Sequence, residues 1–598
     1  MQIPLSQSSR PPQQRDGYTL MMVMVITGVG LLILASVLRW VTTSANLNDR
    51  NQEYFTAVFA AEASTEKIIS RLSRDYTRGG EQNVAANFYA YTSLVPTASE
   101  NSFWNNFEFT NPGGGAGVYI VRKNPRCYTS LSAAYAGLNG FASDYSIIAN
   151  ARNKNSRNKI SGAVEQTVQL ASIPIFQYAV FYDMDLEVNP GELMDVRGRV
   201  HSNGNIWNGG SGTLTFYNEV TSVGKITKTR HPQDPTGVGG TGSVNFKLPD
   251  QKKTGVDTLS LPISNLTNTI HSIIEVPPKG EVTTSEMGLQ RYYNKAELLI
   301  IVKDTNVIIA AKNTYGGNVS NNIPWNQVTN FLSTNAVFTD QREGKTVKLT
   351  EIDVAKMGAW SKTNSVLNHA TTGVLSGKLG KVGQPVNLVY VSDQRTTKST
   401  EMTGVRLING QTLPERGLTV ATENPLYVQG HFNAPSGAVG TTNTSNTKPA
   451  SLVSDALTVL SAKWDDAKSP LSYSLRKPED TTVNAALLTG IVGTTNNPSR
   501  YSGGVQNIAR YLEDWNGKTV TYNGSIVALF ESKKSTARFK QPGESGAYYS
   551  IPVRNFNFDN NFTIEANIPP GTPELRTLIR AEWKNPPAKS TNYVQTYN

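Results

Sequence analysis

The sequence predicts an α+β chain in which one long N-terminal helix, membrane-spanning in its first half, precedes a large β-rich region, solenoid-like or sandwich-like. Three observations carry this expectation. Tyr18 to Leu38 are 21 consecutive residues without Asp, Glu, Lys or Arg, and at about 1.5 Å per residue a helix of that length just crosses a hydrocarbon core of about 30 Å. Past Arg39 the apolar residues Val58, Ala61, Ile68 and Leu72 recur on one helical face. The rest of the 598 residues has short apolar bursts between turns, with 49 Gly and many Asn and Thr.

In chain order, residues 1–17, with Pro11-Pro12 and several Gln and Ser, read as an unstructured leader. Arg10 and Arg15 lie at the apolar boundary, so positive-inside bias keeps this end cytoplasmic. Residues 18–78 read as one transmembrane and spine helix, closed by Arg78-Gly79-Gly80. Ala35-Ser36-Val37-Leu38-Arg39-Trp40 has no small-residue secretory cleavage pattern, so the apolar helix stays with the chain. Residues 79–170 read as an α+β region with strands at Phe107–Phe109, Val118–Val121, Ser143–Ala151 and Ala163–Leu170. Residues 171–449 read as a β-rich domain. In it Tyr178, Val180, Tyr182, Met184, Leu186 and Val188 share one face of a strand, and Phe181, Asp183, Asp185 and Glu187 the other.

Short strands with Gly and Asn corners, as around Val196–Ile206 and again at 417–432, suit solenoid rungs, because tight corners need left-handed residues. Ala296–Lys303 and Thr305–Lys312 read as two strands, Trp325–Leu332 and Ala355–Ser361 as short helices. The Ser/Thr/Asn/Gly-rich run 434–449 marks a candidate boundary to a C-terminal α+β domain, 450–598. There Val505–Leu512 reads as a helix and Thr519–Phe530 as a hairpin turning at Asn523-Gly524. The segment from Pro569 to Trp583 is compatible with a helix or a strand.

The junction Gly17-Tyr18 resembles the cleavage site of type IV prepilins and pseudopilins. In that family a leader ending in Gly is removed by the prepilin peptidase and the new terminal residue is N-methylated; here those positions are Gly17 and Tyr18. The family's fifth mature position, normally a Glu that pairs with a neighbouring subunit's terminal amine, is Met22. The resemblance thus implies a minor subunit, placed where no neighbour lies above it. Ala57-Val58-Phe59-Ala60-Ala61-Glu62-Ala63, preceded by Arg50, is similar to the A-x-x-A-A-E-A run of PilX-type minor pilins. The resemblance covers residues 10–75 and implies other pilins or pseudopilins as partners through the N-terminal helix, with an inner-membrane stage before assembly.

Chemistry leaves few marks. Gly344-Lys345-Thr346 is part of a Gly-Lys-Thr tripeptide, repeated at 517–519, but both lack the upstream Gly of a P-loop. There is no G-x-S-x-G elbow or H-E-x-x-H, and His201, His231, His271, His369 and His431 lack metal-ligand spacing. The single Cys127 excludes an internal disulfide framework and reads as a buried or half-buried thiol. Net charge is +10, and +9 without the leader's Arg10, Arg15 and Asp16; it is dispersed, and no specific nucleic-acid partner is expected.

Asp183, Asp185 and Glu187, at alternate positions, would share a strand face that Asp195 rejoins after Asn189-Pro190-Gly191. Either salt bridging to Arg197 and Arg199 or Ca²⁺ would offset their charge; otherwise no cofactor is expected. The leading expectation is a non-enzymatic, large minor pilin or pseudopilin of a type IV pilus or type II secretion-like system. It would act at or near the filament tip in assembly priming or adhesion, with its bulk periplasmic or extracellular. The alternatives are a static single-pass surface or periplasmic binding protein and, more remotely, a tethered β-solenoid carbohydrate enzyme built on Asp183, Asp185 and Glu187.

Overall fold

The structure, a computed structural model, describes residues 16–135, 138–237, 240–259, 261, 270–312, 320–364, 367 and 384–588. Most of the expected leader, residues 1–15, lies outside them. The fold is α+β. Helix α1 (Asp16–Tyr91) opens it, with a break at Gly80, whose φ of 63° and ψ of −158° are not helical. Tyr91 and Asp75 are 16 positions apart, about 24 Å along a straight helix, yet the Tyr91 hydroxyl donates to Asp75 Oδ2 at 3.0 Å. The chain therefore folds back at Gly80, a left-handed residue that only glycine adopts readily, and residues 81–91 lie beside the end of the spine.

Six strands form the sheet under the spine, among them β1 (Phe107–Thr110), β2 (Tyr119–Arg122), β3 (Cys127–Ser130), β4 (Asn139–Asn153) and β5 (Ser161–Pro174). β1, β2 and β3 all pair with β4, β4 pairs with β5, and the last strand of the chain, Glu574–Lys584, pairs antiparallel with β5. The segment from Pro569 to Trp583 thus resolves into a strand. Ala57, Val58, Ala60, Ala61, Ile68 and Leu72 of α1 are buried against Tyr145, Ile147, Val164 and Val168 of this sheet. Burial of each large aliphatic side chain contributes about 1.5–3 kcal/mol. The small residues of the Ala57–Ala63 run let the layers approach. A Cβ at Gly162 of β5 would lie 2.4 Å from Val58 N, so only glycine fits there.

From β5 a 3-10 turn, Ile175–Gln177, leads into a parallel β-solenoid. Its first arm comprises β6 (Tyr178–Tyr182), β7 (Leu186–Glu187), β8 (Met194–Val196), β9 (Arg199–Ser202), β10 (Ile206–Trp207), β11 (Leu214–Phe216), β12 (Val220–Ser222), β13 (Ile226–Thr227), β14 (Val244–Phe246) and β15 (Lys252–Thr254). Each turn contributes three strands, one to each of three sheets. Val180, Val200 and Val220 align on successive turns, as do Leu186, Ile206 and Ile226, so the first turns repeat every 20 residues. The third turn is longer, since Val220 next meets Lys252.

The second arm starts at the far end with the antiparallel pair Leu298–Val302 and Val307–Lys312. It then returns through 388–393, 418–422, 450–454, 486–489 and 526–528, each parallel to its predecessor. Ile526 finally pairs with Val180 of β6. Both arms therefore share one 12-stranded sheet, which the chain enters in its middle. Strands from both sides of residue 449 lie in these sheets; in the long one, 450–454, 486–489 and 526–528 form the block between 418–422 and β6. Apolar residues pointing inward, such as Val180, Val200, Leu452 and Leu487, fill the interior.

Four local expectations change. The run Thr519–Phe530 is no hairpin: Thr519–Gly524 and Ile526–Ala528 belong to different sheets and each pairs in parallel with other turns. Asn523 instead joins a buried asparagine ladder. Its Nδ2 donates to Asn484 Oδ1 at 2.7 Å, and Asn484 Nδ2 donates to Asn433 O at 2.9 Å. Val505–Leu512 is a 3-10 turn, Val505–Asn507, then the strand Ala509–Arg510, because its backbone supplies the next rung beside Leu457–Thr458. Trp325–Leu332 is a 3-10 turn, Trp325–Gln327, ahead of Leu332–Ser333; Val328 and Phe331, three apart, both reach the core. Cys127 is exposed, because β3 pairs only with β4. The helix expected at 355–361 is present as Val354–Thr363, capped by Asp353.

Candidate functional site

The spine helix divides in two. Every described side chain from Tyr18 to Thr43 is exposed, Tyr18 at 82% and Met22 at 60%, whereas from Ala57 onward one face is buried. The polar hydroxyls of the apolar half are satisfied within the helix: Thr27 donates to Val23 O at 2.7 Å and Ser36 to Leu32 O at 2.8 Å. An apolar cylinder whose Thr27 and Ser36 hydroxyls bond back to its own carbonyls is what a lipid core or a bundle of like helices accepts. Gly17 and Tyr18 lie in the first turn of the described helix.

The buried half is locked to the last strand. Arg580 makes a two-pronged bond to Glu66, at 2.5 and 2.7 Å, and holds its carboxyl below the usual range. Gln166 of β5 donates to Thr65 and Glu66. Arg576 donates to the carbonyls of Thr77 and Arg78, both at 3.3 Å, at the helix end before Gly80, where the dipole favours a cation. Since β5 leads into the solenoid and the last strand leads out of it, entry and exit are clamped side by side against the spine.

The three carboxylates singled out in the sequence do not share a strand face. β6 ends at Tyr182, and Asp183 to Asp185 form the corner before β7. Asp183 accepts from Asn203 Nδ2, and burial raises its pKa. Asp185 accepts from Asn205 N at 2.8 Å and Trp207 Nε1 at 2.8 Å, with His231 Nε2 at 3.7 Å. Glu187 is buried, which raises its pKa; its Oε1 accepts from Thr494 and Ser502, and its Oε2 has no hydrogen-bond partner among the described residues. Asp195 sits on β8, in another sheet, and meets Arg197 and Tyr217. Arg199 pairs with Glu219. Among the described residues no group of three or more His, Cys, Asp or Glu could hold a metal ion.

The histidines serve local bonds. His201 bridges Thr221 and Asn203, and burial lowers its pKa. His431 Nδ1 accepts from the Thr482 amide at 3.1 Å; His369 lies outside the described residues. His271 is buried between Glu275, at 2.7 Å, and Asp455, at 3.0 Å. Burial works to lower its pKa, but the two carboxylates outweigh it and raise the value.

The sequence reading missed the corner ladder that organises the first arm. Asp185 receives the amide of Asn205, and Asn205 Oδ1 that of Lys225; Asn189 Oδ1 receives the amide of Gly209. The signal is present in the sequence: Val180-x-x-Asp183-x-Asp185-Leu186, Val200-x-x-Asn203-Gly204-Asn205-Ile206 and Val220-x-x-x-Gly224-Lys225-Ile226 superpose at a spacing of 20 residues.

No protein-family model matches this chain, and no curated protein does. Among solved structures it is similar to the competence-associated pilin ComZ from Thermus thermophilus, at 11% identity and a TM-score of 0.28, over 89% of this chain and 98% of that one. At that similarity the two folds are not equated.

Proposed function

We propose that this chain is a non-enzymatic, type IV pilin-like filament subunit: a large minor pilin or pseudopilin of a pilus or a type II secretion-like system. On this reading it is held in the inner membrane by residues 18–38, with its N-terminus cytoplasmic, cut after Gly17 by a prepilin peptidase and methylated on Tyr18. The helix then leaves lipid and packs among other pilin helices. The observation that carries the reading is the division of α1 into an exposed apolar half, free of charge, and a half buried on a sheet. Such a helix can exchange lipid for neighbouring helices without disturbing the domain it carries. Met22, an apolar side chain where a subunit-pairing Glu is usual, supports a position at or near the tip, in assembly priming or adhesion. So does the bulk of the solenoid, which crowds a tightly repeating fibre.

The test is the N-terminus of the protein recovered from membranes and from sheared filaments, read by intact-mass and peptide mass spectrometry. A start at N-methylated Tyr18 in both pools is expected. A start at Met1 with no filament-associated pool would leave a static membrane-anchored binding protein, and cleavage beyond Leu38 would refute both.

A further inference from the structure

We propose that the cleft where solenoid corners meet the spine-bearing sheet binds an oligosaccharide. The cleft encloses about 610 Å³, within the range of about 300–1,000 Å³ typical of small-ligand sites. Its place follows from the winding. Arg197 and Tyr217 occupy equivalent corners of successive turns, and the Arg197 guanidinium lies 3.9 Å from the centre of the Tyr217 ring. That stacking fixes the ring. Phe558, half-buried at the end of strand Val553–Phe558, packs on Gly198, where a Cβ would lie 2.8 Å from it. Asn218, Asn560 and Thr442 complete the exposed part of the lining.

The lining chemistry selects the ligand class. Nearby acids are already paired, Asp195 with Arg197 and Tyr217, Glu219 with Arg199 and Lys253. A phosphate backbone would need uncompensated cations, which these partners remove. An extended peptide would need a free strand edge, but the corner amide of Gly198 is taken by Asn218 Oδ1 at 2.7 Å. What remains is the Tyr217 ring, one face of which Arg197 covers, the half-buried Phe558 ring, the Asn218 Nδ2 and Asn560 amide donors and the Thr442 hydroxyl. None of these polar groups makes a side-chain hydrogen bond to another described residue that would compete with a ligand. Ring faces take the C–H surface of a sugar, and planar amides match its hydroxyl pairs.

The intact chain, in a detergent without a sugar headgroup, would be titrated with cellotetraose, chitotetraose and tetragalacturonate by isothermal calorimetry. Binding of at least one is expected, the neutral and acidic probes separating the two saccharide sources. Tyr217→Ala should weaken it about tenfold, as loss of an aromatic contact does, while Tyr217→Phe keeps it; Thr442→Trp should block it from the rim. Thermal melts establish that the variants fold. Absence of binding to all three probes, or equal binding by wild type, Tyr217→Ala and Thr442→Trp, would overturn the proposal. The inference deepens the adhesion reading, but the titration requires no cleavage or filament, so the two fail independently.

Discussion

Replacing Asn484 by alanine probes the device that turns Asn523-Gly524 from a hairpin into a solenoid corner. Asn433, Asn484 and Asn523 are each 1–2% exposed. Asn484 accepts from Asn523 Nδ2 at 2.7 Å and donates to Asn433 O at 2.9 Å. Truncation removes both bonds, at about 1 kcal/mol net each, and strands a buried partner, which costs a further ~1–3 kcal/mol. Asn523 Nδ2 keeps its bond to Thr441 O at 2.9 Å, so only one of its two N–H groups is left without a partner. The expected loss is therefore about 3–5 kcal/mol, read as a lower denaturant midpoint of the intact chain by circular dichroism. Asn443→Ala, on the exposed loop, should stay within about 0.5 kcal/mol of wild type. An Asn484→Ala midpoint equal to that of the loop variant would refute the ladder and reopen the hairpin.

Three other outcomes follow from the same physics. The raised pKa of His271 means that its stabilisation is complete below its ordinary value of 6.5 and lost as pH rises through the higher folded value. Glu275, lowered to about 2, and the lowered Asp455 act oppositely, stabilising above their ordinary values and failing as pH falls through the folded ones. Melting temperature should therefore plateau between about pH 4.5 and 6.5, and His271→Gln should flatten the alkaline limb; an unchanged alkaline limb would contradict the pairing. Asp185→Ala should lower the melting temperature equally in Ca²⁺ and in EDTA, because the amides of Asn205 and the Trp207 indole hold that carboxylate; a calcium-dependent rise abolished in the variant would establish a cation instead. Gly162→Ala forces a Cβ to within 2.4 Å of Val58 N and should cost about 1–3 kcal/mol, as overpacking does; a neutral effect in thermal melts would show that spine and sheet are not held so closely.

The elements legible in advance are those whose determinants are local. A charge-free stretch of 21 residues declares itself by length alone, and Gly79-Gly80 marks the end of the spine because a left-handed turn needs glycine wherever it lies. Strands β4 and β5 show because one face of each meets the spine. The exposed apolar half of α1 was likewise readable, since none of the described residues covers it. By contrast, Asp183, Asp185 and Glu187 look like one strand face until the chain turns at Asp183, and Asn523-Gly524 carries the composition of a hairpin turn while serving as a rung corner. In both cases the deciding partners, Asn203, Asn205, Asn433 and Asn484, come from neighbouring turns.

A long N-terminal helix, apolar in its first half, and a β-rich body were thus readable from the residues alone, because helical amphipathy and residue-level turn preference are properties of consecutive residues. The tertiary structure decided which strands became rungs, that two arms meet at β6, and that the last strand returns to β5. Those pairings join residues tens to hundreds of positions apart through backbone hydrogen bonds, which every residue can accept and every residue but proline can donate, and so leave little trace in side-chain pattern.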